Sequence, residues 1–150
     1  MYDDILIPTD GSEEAETAIE HALELAETYD ATVHALYVVD DSRGGGGLIG
    51  ADAGSATSEL RAIGKDAVGT IATRGEKRGL TVRTEVREGL PHEGILDYAD
   101  EHDIDILVMS SRGRSGVSRF VFGSVTERVV RLSGRPVLVV SRDVSDEDTE

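Results

Sequence analysis

The chain has 150 residues, a length that suits one domain able to bury about 68–70% of its unfolded surface. It contains no cysteine, which excludes disulfides, thiolate zinc sites, iron–sulfur clusters and cysteine nucleophiles. Thirty acidic residues face fifteen basic ones, and the formal charge of −15 disfavours binding to nucleic acids and to anionic membranes.

The acidic surplus comes with a shortage of lysine, two lysines against thirteen arginines. Either the acids form an ordinary solvated surface, or the protein is adapted to high salt, where charges are screened over about 3 Å at 1 M. The composition favours a halophilic source. Because no apolar run approaches the ~20 residues of a membrane helix and the first residues lack a signal-peptide pattern, we expect a cytoplasmic protein.

The predicted elements alternate between strand and helix from the start of the chain. Residues 4–8 (DILIP) form a short apolar strand that a proline ends. Turn chemistry follows, with Asp10 or Ser12 as a candidate N-cap for an amphipathic helix over residues 13–29. Residues 31–39, rich in β-branched and aromatic side chains, form the second strand.

The middle of the chain begins with a glycine-rich stretch over residues 40–54. Such a stretch predicts a flexible loop, because ordering glycine costs more backbone entropy than ordering other residues. A second helix follows over residues 60–78, weakened by Gly64 and Gly69. Residues 80–87 alternate like a half-exposed strand at or near the edge of a sheet.

The last third of the chain continues the same alternation. It contains, in order, a third helix opened by Pro91, a strand over 105–110, a loop over 111–123, a helix over 124–133, a strand over 136–140 and an acidic tail over 143–150. Helices between nearly continuous apolar strands predict a single, Rossmann-like α/β domain with a five-stranded parallel sheet covered on both faces.

Ligands of such sheets bind outside the carboxyl ends of the strands, where the strand order reverses. The candidate segments are therefore Pro8–Ser12, Val38–Asp41, Gly89 and Ser110–Ser124. The last of these has the parts of a phosphate-binding loop. Gly113 and Gly116 allow close backbone approach, and Gly123 precedes a helix whose free N–H groups and dipole favour an anion.

Two readings compete for the start of that helix. Ser124-Val125-Thr126-Glu127 also matches a capping box, in which Ser124 caps the helix and Glu127 reaches back. A capping box does not account for Gly113, Gly116 and Gly123 together, which favours a ligand.

The charge pattern supports an anion near this loop. Residues 106–142 contain seven arginines and one acid and carry +6, whereas the rest of the chain carries −21. Buried strands also exclude acids, but they do not explain Arg112, Arg114 and Arg119 in the loop. The segment therefore favours an anion or an acidic partner surface.

Over nearly its whole length the sequence resembles the universal stress protein (UspA-type) family, from ILIPTDGS at 5–12 to RPVLVV at 135–140. Nucleotide-binding members carry Gly, two residues, Gly, nine residues, then Gly-Ser or Gly-Thr. Here the pattern falls on Ser110, Gly113, Gly123 and Ser124, with serine replacing the first glycine. Arg112 stands where a histidine is common in the family.

The resemblance implies one universal stress protein domain over residues 1–142, with strand order 3-2-1-4-5, that binds ATP or a related adenine nucleotide with or without Mg²⁺. It implies that Pro8, Thr9, Asp10 and Val38 contact the nucleoside, that Met109, Ser110, Arg112 and Gly113 flank the ribose and phosphates, and that Gly123, Ser124, Val125 and Thr126 hold the phosphate tail. It also implies a homodimer through the last strand, residues 136–141, whose edge would otherwise be exposed.

Patterns of known catalytic sites are missing from the sequence, which has no Walker A motif and no GxSxG motif. Asp10, Asp40 and Asp41 are candidate carboxylates for a magnesium–phosphate complex. We expect a regulatory stress-response module with at most slow hydrolysis of ATP. Two alternatives stay open: a member of the family that binds no nucleotide and acts as a dimeric interaction module, and a slow nucleotide hydrolase.

Overall fold

The computed structural model describes residues 1–40, 51–111 and 123–141, and within 51–56 it describes the backbone only. In chain order the elements are β1 (Asp4–Pro8), α1 (Ala15–Tyr29), β2 (Thr32–Asp40), α2 (Ala51–Lys77), β3 (Val82–Gly89), α3 (Pro91–Glu101), β4 (Ile106–Ser110), α4 (Ser124–Leu132) and β5 (Val137–Val140). The strands form one parallel sheet in the order β3-β2-β1-β4-β5. This confirms the predicted single-domain fold and its strand order.

Both faces of the sheet are covered by helices. Because successive residues of a strand point to opposite faces, Ile5 and Ile7 of β1 pack in the layer of α1 and α2, whereas Leu6 packs in the layer of α3 and α4. Burial on both sides explains why the central strands are continuous apolar runs in the sequence. β3 lies at one edge of the sheet, as its alternating pattern predicted.

The second helix starts earlier than the sequence predicted. α2 begins at Ala51, so the assignment of residues 51–54 to the glycine-rich loop was wrong. Ala51 and Ala53 are good helix formers, and the single Gly54 costs a helix only about 1 kcal/mol relative to alanine. Of the rest of that predicted loop, Asp40 ends β2 and residues 41–50 lie outside the described part of the chain.

Two glycines of α2 mark where the helix touches the sheet. A Cβ atom at Gly64 would lie 2.5 Å from Cδ1 of Tyr37 on β2, and one at Gly75 would lie 2.5 Å from a methyl group of Val82 on β3. A Cβ atom at Gly69 would meet nothing within 4 Å. Gly64 therefore has a packing reason, whereas Gly69 only lowers the helix propensity.

The first helix is not capped as the sequence predicted. α1 begins at Ala15, its N-cap residue is Glu14, and no side chain makes a capping hydrogen bond, so neither Asp10 nor Ser12 is its cap. The chain instead makes a turn before the helix, in which the Ala15 N–H donates to the Ser12 carbonyl at 3.2 Å. Within the described residues no helix is long and apolar enough to cross a membrane.

Candidate functional site

A cavity of about 490 Å³ lies at the carboxyl end of the sheet. The strand order reverses between β1 and β4, and the ends of both strands line this cavity, which is where open α/β sheets bind their ligands. The lining comes from the ends of β1, β2 and β4, from the starts of α1, α3 and α4, and from one residue of α2.

The structure brings together most of the residues that the resemblance singled out. Ten of those twelve residues line the cavity, namely Pro8, Thr9, Asp10, Val38, Met109, Ser110, Gly123, Ser124, Val125 and Thr126. The other two, Arg112 and Gly113, lie outside the described residues. Gly89 is not among the lining residues, because it ends β3 at the far edge of the sheet.

The loop after β1 is held by its own side chains. Thr9 Oγ1 accepts the Gly11 N–H at 3.1 Å, and Asp10 Oδ1 accepts the Ser12 N–H at 2.9 Å. Gly11 has a φ of 77°, a left-handed conformation that glycine adopts without the steric cost of a side chain. These bonds fix the Asp10 carboxylate at the edge of the cavity.

The start of α4 leaves backbone donors at the cavity. Glu127 makes the first intrahelical bond, donating to the Gly123 carbonyl at 3.0 Å. The N–H groups of Ser124, Val125 and Thr126 therefore have no intrahelical acceptor. These three residues line the cavity, and among the described residues no side chain makes a capping hydrogen bond there. Such a helix terminus attracts an anion through its free donors and its dipole.

The capping box is not formed. The N-cap residue of α4 is Gly123, and Ser124 is the first residue of the helix. Glu127 does not reach back to the helix start, because its carboxylate pairs with Arg131 one turn further along. The capping-box interpretation of this segment was therefore wrong, and helix capping does not explain why position 124 is a serine.

Thr126 has a structural contact that the sequence did not reveal. Its side chain is buried, and its hydroxyl donates to the Ser110 carbonyl at 2.9 Å. The hydroxyl hydrogen of Thr126 thus joins α4 to the end of β4. Ser110 is the last residue of β4 and keeps extended backbone, so serine fits without the left-handed conformation that glycine permits.

The charged side chains that the structure describes around the cavity are acidic. Asp10 and Asp40 line it, whereas no arginine or lysine among the described residues does. Two arginines of the basic segment are engaged elsewhere: Arg131 pairs with Glu127, and Arg135 binds Asp100 and the Ile104 carbonyl. Attraction of an anion by the described residues therefore depends on the helix starts.

Among the three helix starts, α4 is the best anion site. At α1 the first N–H groups are already bonded, Ala15 to the Ser12 carbonyl and Glu16 to the Glu13 carbonyl. At α3 the first residue is Pro91, which has no N–H. The first amides of α4 are therefore the backbone donors that remain for an anion.

One part of the cavity lining is an apolar wall. It contains Leu36 and Val38 of β2, Met109 of β4, and Pro91 and Ile95 of α3. Gly94 lets α3 come close to β2, because a Cβ atom there would lie 3.0 Å from a Val38 methyl group. A cavity lined by both an apolar wall and uncapped amides suits a flat ring joined to an anionic group.

Sequence reasoning missed six residues of the lining: Ala15, Leu36, Tyr37, Leu60, Pro91 and Ile95. Val39 and Asp40 belong to the candidate segment Val38–Asp41, and both line the cavity. Pro91 and Ile95 could have been found, because every helix that follows a parallel strand starts at the carboxyl end of the sheet. Leu60 gave no such signal, since its place depends on how α2 packs.

Comparison with known proteins gives a consistent result. The model of the universal stress protein family matches residues 1–141. Universal stress protein MJ0531 of Methanocaldococcus jannaschii is 38% identical over 143 residues, which cover 95% of this chain and 84% of that protein. The solved structure of MJ0577 from the same organism has a TM-score of 0.85 at 33% identity, covering 95% of this chain and 98% of that one.

Two more distant structures share the fold. A universal stress protein in complex with cAMP has a TM-score of 0.68 at 22% identity and covers 95% of this chain and 98% of its own. A family protein from Arabidopsis thaliana with AMP bound has a TM-score of 0.70 at 17% identity and covers 97% and 94%. At these identities the likeness establishes the fold alone.

Proposed function

This chain belongs to the universal stress protein family, and from that membership we propose that its cavity binds ATP or a related adenine nucleotide. The nucleotide acts as a regulatory ligand, so the protein is a nucleotide-gated module of a cytoplasmic stress response. The observation that carries the proposal is the uncapped start of α4, whose first three amides line the cavity.

The phosphates bind at α4 in this proposal. The N–H groups of Ser124, Val125 and Thr126 donate to phosphate oxygens, and the helix dipole adds to the attraction. The Ser124 side chain is exposed and its hydroxyl makes no capping bond, so it adds a fourth donor. The Thr126 hydroxyl keeps its bond to Ser110 and positions the helix.

The nucleoside binds against the apolar wall. Val38, Met109 and Ile95 present apolar surface to an adenine ring, and the cavity of about 490 Å³ lies within the usual range of about 300–1,000 Å³ for small-molecule sites. Asp10, fixed by its bond to the Ser12 N–H, is placed to accept a hydroxyl or amino group.

A magnesium ion fits the same site. Mg²⁺ is commonly held by one or two carboxylates together with substrate phosphates and water. Asp10 and Asp40 both line the cavity and supply hard oxygen ligands of this kind. They would hold the ion beside the phosphates, where it offsets the repulsion between carboxylates and phosphates.

The relatives support adenine nucleotides as the ligand class. One distant structure is in complex with cAMP and another has AMP bound. We propose ATP or a related nucleotide as a regulator rather than a rapidly consumed substrate. The described lining has no lysine or arginine to stabilise phosphoryl transfer.

The test is equilibrium dialysis of the full chain against ATP with Mg²⁺, with GTP and adenosine in parallel. We expect saturable binding of ATP near one per chain, weaker binding of adenosine because it lacks the phosphates, and weaker binding of GTP. Mass spectrometry of gently purified protein would show whether a nucleotide co-purifies. Absence of saturable ATP binding at both low and high salt would refute the proposal and favour an interaction module without nucleotide.

We also propose a homodimer through β5. β5 is an edge strand, and its Leu138 is 39% exposed; Val130 and Leu132 of α4 are exposed as well. Unpaired apolar edges invite pairing with another chain. Light scattering should give the mass of a dimer for the native chain and of a monomer for Leu138→Glu. A native monomer at micromolar concentration would contradict the proposal.

The charge composition supports adaptation to high salt. The chain carries −15, and Arg74 and Arg78 of α2 bridge to Glu16, Glu20 and Glu27 of α1. Concentrated salt screens the net repulsion at a distance more than it screens these short contacts. We therefore propose a halophilic source. Its test is a higher urea midpoint in 2 M than in 0.1 M potassium chloride.

A further inference from the structure

A buried chain of hydrogen bonds lies one helical turn from the cavity. His34 of β2 is 2% exposed; its Nδ1 lies 2.7 Å from the Tyr98 hydroxyl and its Nε2 lies 2.9 Å from Oδ1 of Asp4. Tyr98 belongs to α3, the helix that supplies Pro91 and Ile95 to the wall of the cavity. The three side chains therefore connect β1, β2 and this wall.

The donors and acceptors of Asp4, His34 and Tyr98 determine where the hydrogens of this network lie. An ionised carboxylate only accepts, so Nε2 of His34 carries a hydrogen and donates it to Asp4. Neutral His34 then has a lone pair on Nδ1, which accepts the hydroxyl hydrogen of Tyr98. When His34 is neutral, both hydrogen bonds of this network pair a donor with an acceptor.

Several charged and titratable groups lie near this hydrogen-bond network. Asp105 accepts the N–H groups of Asp3 and Asp4 behind the carboxylate. The other groups that face His34 and Tyr98 are His102 from α3, stacked on the Tyr98 ring at 3.9 Å, and Arg83, Glu85 and Arg87 from β3, of which Arg87 lies over the same ring at 5.2 Å.

A second proton on His34 would break the pattern. Nδ1 would become a donor facing the Tyr98 hydroxyl, whose own hydrogen would then need another acceptor in a buried place. Burial lowers the pKa of His34 more than Asp4 raises it, and burial raises the pKa of Tyr98 to about 12, so the hydroxyl keeps its hydrogen at neutral pH. Two facing donors leave a buried hydrogen unpaired, which is costly.

We infer that His34 is a proton-operated latch on α3. Neutral His34 accepts the Tyr98 hydroxyl and holds α3 against the sheet, whereas protonated His34 releases Tyr98 and loosens the wall that α3 gives to the cavity. The effect on α3 stands on the hydrogen-bond chain alone, whereas the effect on a ligand rests on the proposed function.

The geometry connects the latch to the cavity directly. Tyr98 is three residues beyond Ile95, so the two lie on one face of α3. On β2, His34, Leu36 and Val38 share the face that points to α3. Since a Cβ atom at Gly94 would lie only 3.0 Å from a Val38 methyl group, the two elements are close there, and any tilt of α3 changes the space beside Val38.

The first test is an NMR titration of the histidines in the full chain. We expect the pKa of His34 to lie below the usual histidine value of about 6.5, and Tyr98→Phe to raise it, because the neutral form loses its donor. A His34 pKa at or above that usual value, or one that Tyr98→Phe lowers or leaves unchanged, would overturn the latch.

The second test is hydrogen exchange of the α3 amides between pH 7.5 and 5.5, corrected for the intrinsic rate at each pH. If one proton opens α3, its opening equilibrium rises by up to about tenfold per pH unit below about 6.5. His34→Gln should remove this dependence, His21→Gln should retain it, and α1 should not show it. Protection of α3 that does not change with pH would overturn the inference.

The ligand effect is tested through a ratio of affinities for ATP. Dividing the affinity of the native chain by that of His34→Gln at each pH cancels the titration of the phosphate itself. We expect this ratio to fall severalfold from pH 7.5 to 5.5, and a constant ratio would overturn the link to the cavity. Absence of ATP binding at any pH would refute the proposed function, while hydrogen exchange would still decide on the latch.

Discussion

The two ends of the sheet use polar groups in opposite ways. At the carboxyl end, the amides at the start of α4 face a cavity, and no side chain of the described part of the chain caps them. At the amino end, both nitrogens of His34 are bonded, and one oxygen of Asp105 accepts the N–H groups of Asp3 and Asp4, each at 2.9 Å. One end leaves donors available, whereas the other has its polar groups paired with one another.

This difference separates binding from stability. A buried polar group that has its partners supports the fold, and removing one partner is costly. A donor that faces open space contributes little to the fold but is ready for a ligand. Substitutions at the amino end should therefore change the free energy of unfolding, and substitutions at the carboxyl end should change affinity.

The largest expected effect is at the amino end. His34→Ala should lower the free energy of unfolding by about 3 kcal/mol, because it leaves a cavity and removes the partner of Tyr98. Urea unfolding at pH 7.5 measures it. His21→Ala, on the exposed face of α1, is the control and should stay within about 0.5 kcal/mol of the native chain. Equal effects of the two substitutions would remove the distinction between the ends.

The pH dependence of stability should show the same network. Below about pH 6.5 unfolded His34 binds a proton that the folded protein excludes, so stability falls as the pH drops further. Folded Tyr98 keeps its proton up to a pKa of about 12, so its contribution is present below pH 10 and is lost between 10 and 12. At 1.36 kcal/mol per pKa unit, the alkaline loss is about 2–3 kcal/mol.

Tyr98→Phe isolates this contribution from the titration of lysine and arginine. The difference in unfolding free energy between native chain and variant should be constant from pH 7 to 10 and shrink above 10. A difference that stays constant up to pH 12 would mean that Tyr98 titrates normally in the folded protein.

At the carboxyl end, Gly123→Val should separate binding from folding. Gly123 has φ −61° and ψ 151°, a conformation open to any residue, so valine adds no backbone strain, and we expect a stability loss of at most about 1 kcal/mol because valine is a poorer N-cap residue than glycine. The new side chain stands beside the free amides and should weaken ATP binding at least about tenfold, or 1.4 kcal/mol. Dialysis and urea unfolding on the same sample check both. Unchanged affinity would place the ligand elsewhere.

Two glycines of α2 should respond with opposite signs. Gly64→Ala forces a Cβ atom against the Tyr37 ring and should destabilise by about 1–2 kcal/mol. Gly69→Ala has open space and should stabilise by up to about 1 kcal/mol through helix propensity. Since Tyr37 also lines the cavity, Gly64→Ala should affect ATP binding and Gly69→Ala should not. Stabilisation by both would mean that α2 packs less closely on β2.

Most of the fold could be predicted from the sequence, because local patterns decide it. Apolar strands alternating with amphipathic helices imply a covered parallel sheet, and the resemblance supplied the strand order. The start of α2 at Ala51 could not be predicted, since composition describes an average over residues 40–54 and not the place where helix begins.

The site was predictable in outline and not in its hydrogen bonds. The motif led to Ser110 and Gly123–Thr126 because the spacing is local, but the bond from Thr126 to Ser110 depends on the fold. The network of His34 left no signal, since Asp4 and Tyr98 lie 30 and 64 residues away along the chain. Contacts of this kind follow from tertiary packing, which spacing does not reveal.

The smallest expected effect is the most direct test of the comparison. Ser124 is the first residue of α4 and not its cap, so Ser124→Ala should change the free energy of unfolding by no more than about 0.3 kcal/mol. A true N-cap serine would cost about 1 kcal/mol on the same substitution. Thr126→Val is the matched control, because it removes a hydroxyl that does bond, and should cost about 1 kcal/mol.

For ATP, Ser124→Ala should lower affinity about twofold to fivefold, since three amides remain. A loss of 1 kcal/mol in stability without a change in affinity would mean that serine serves the helix, and the two ends of the sheet would then use their polar groups alike.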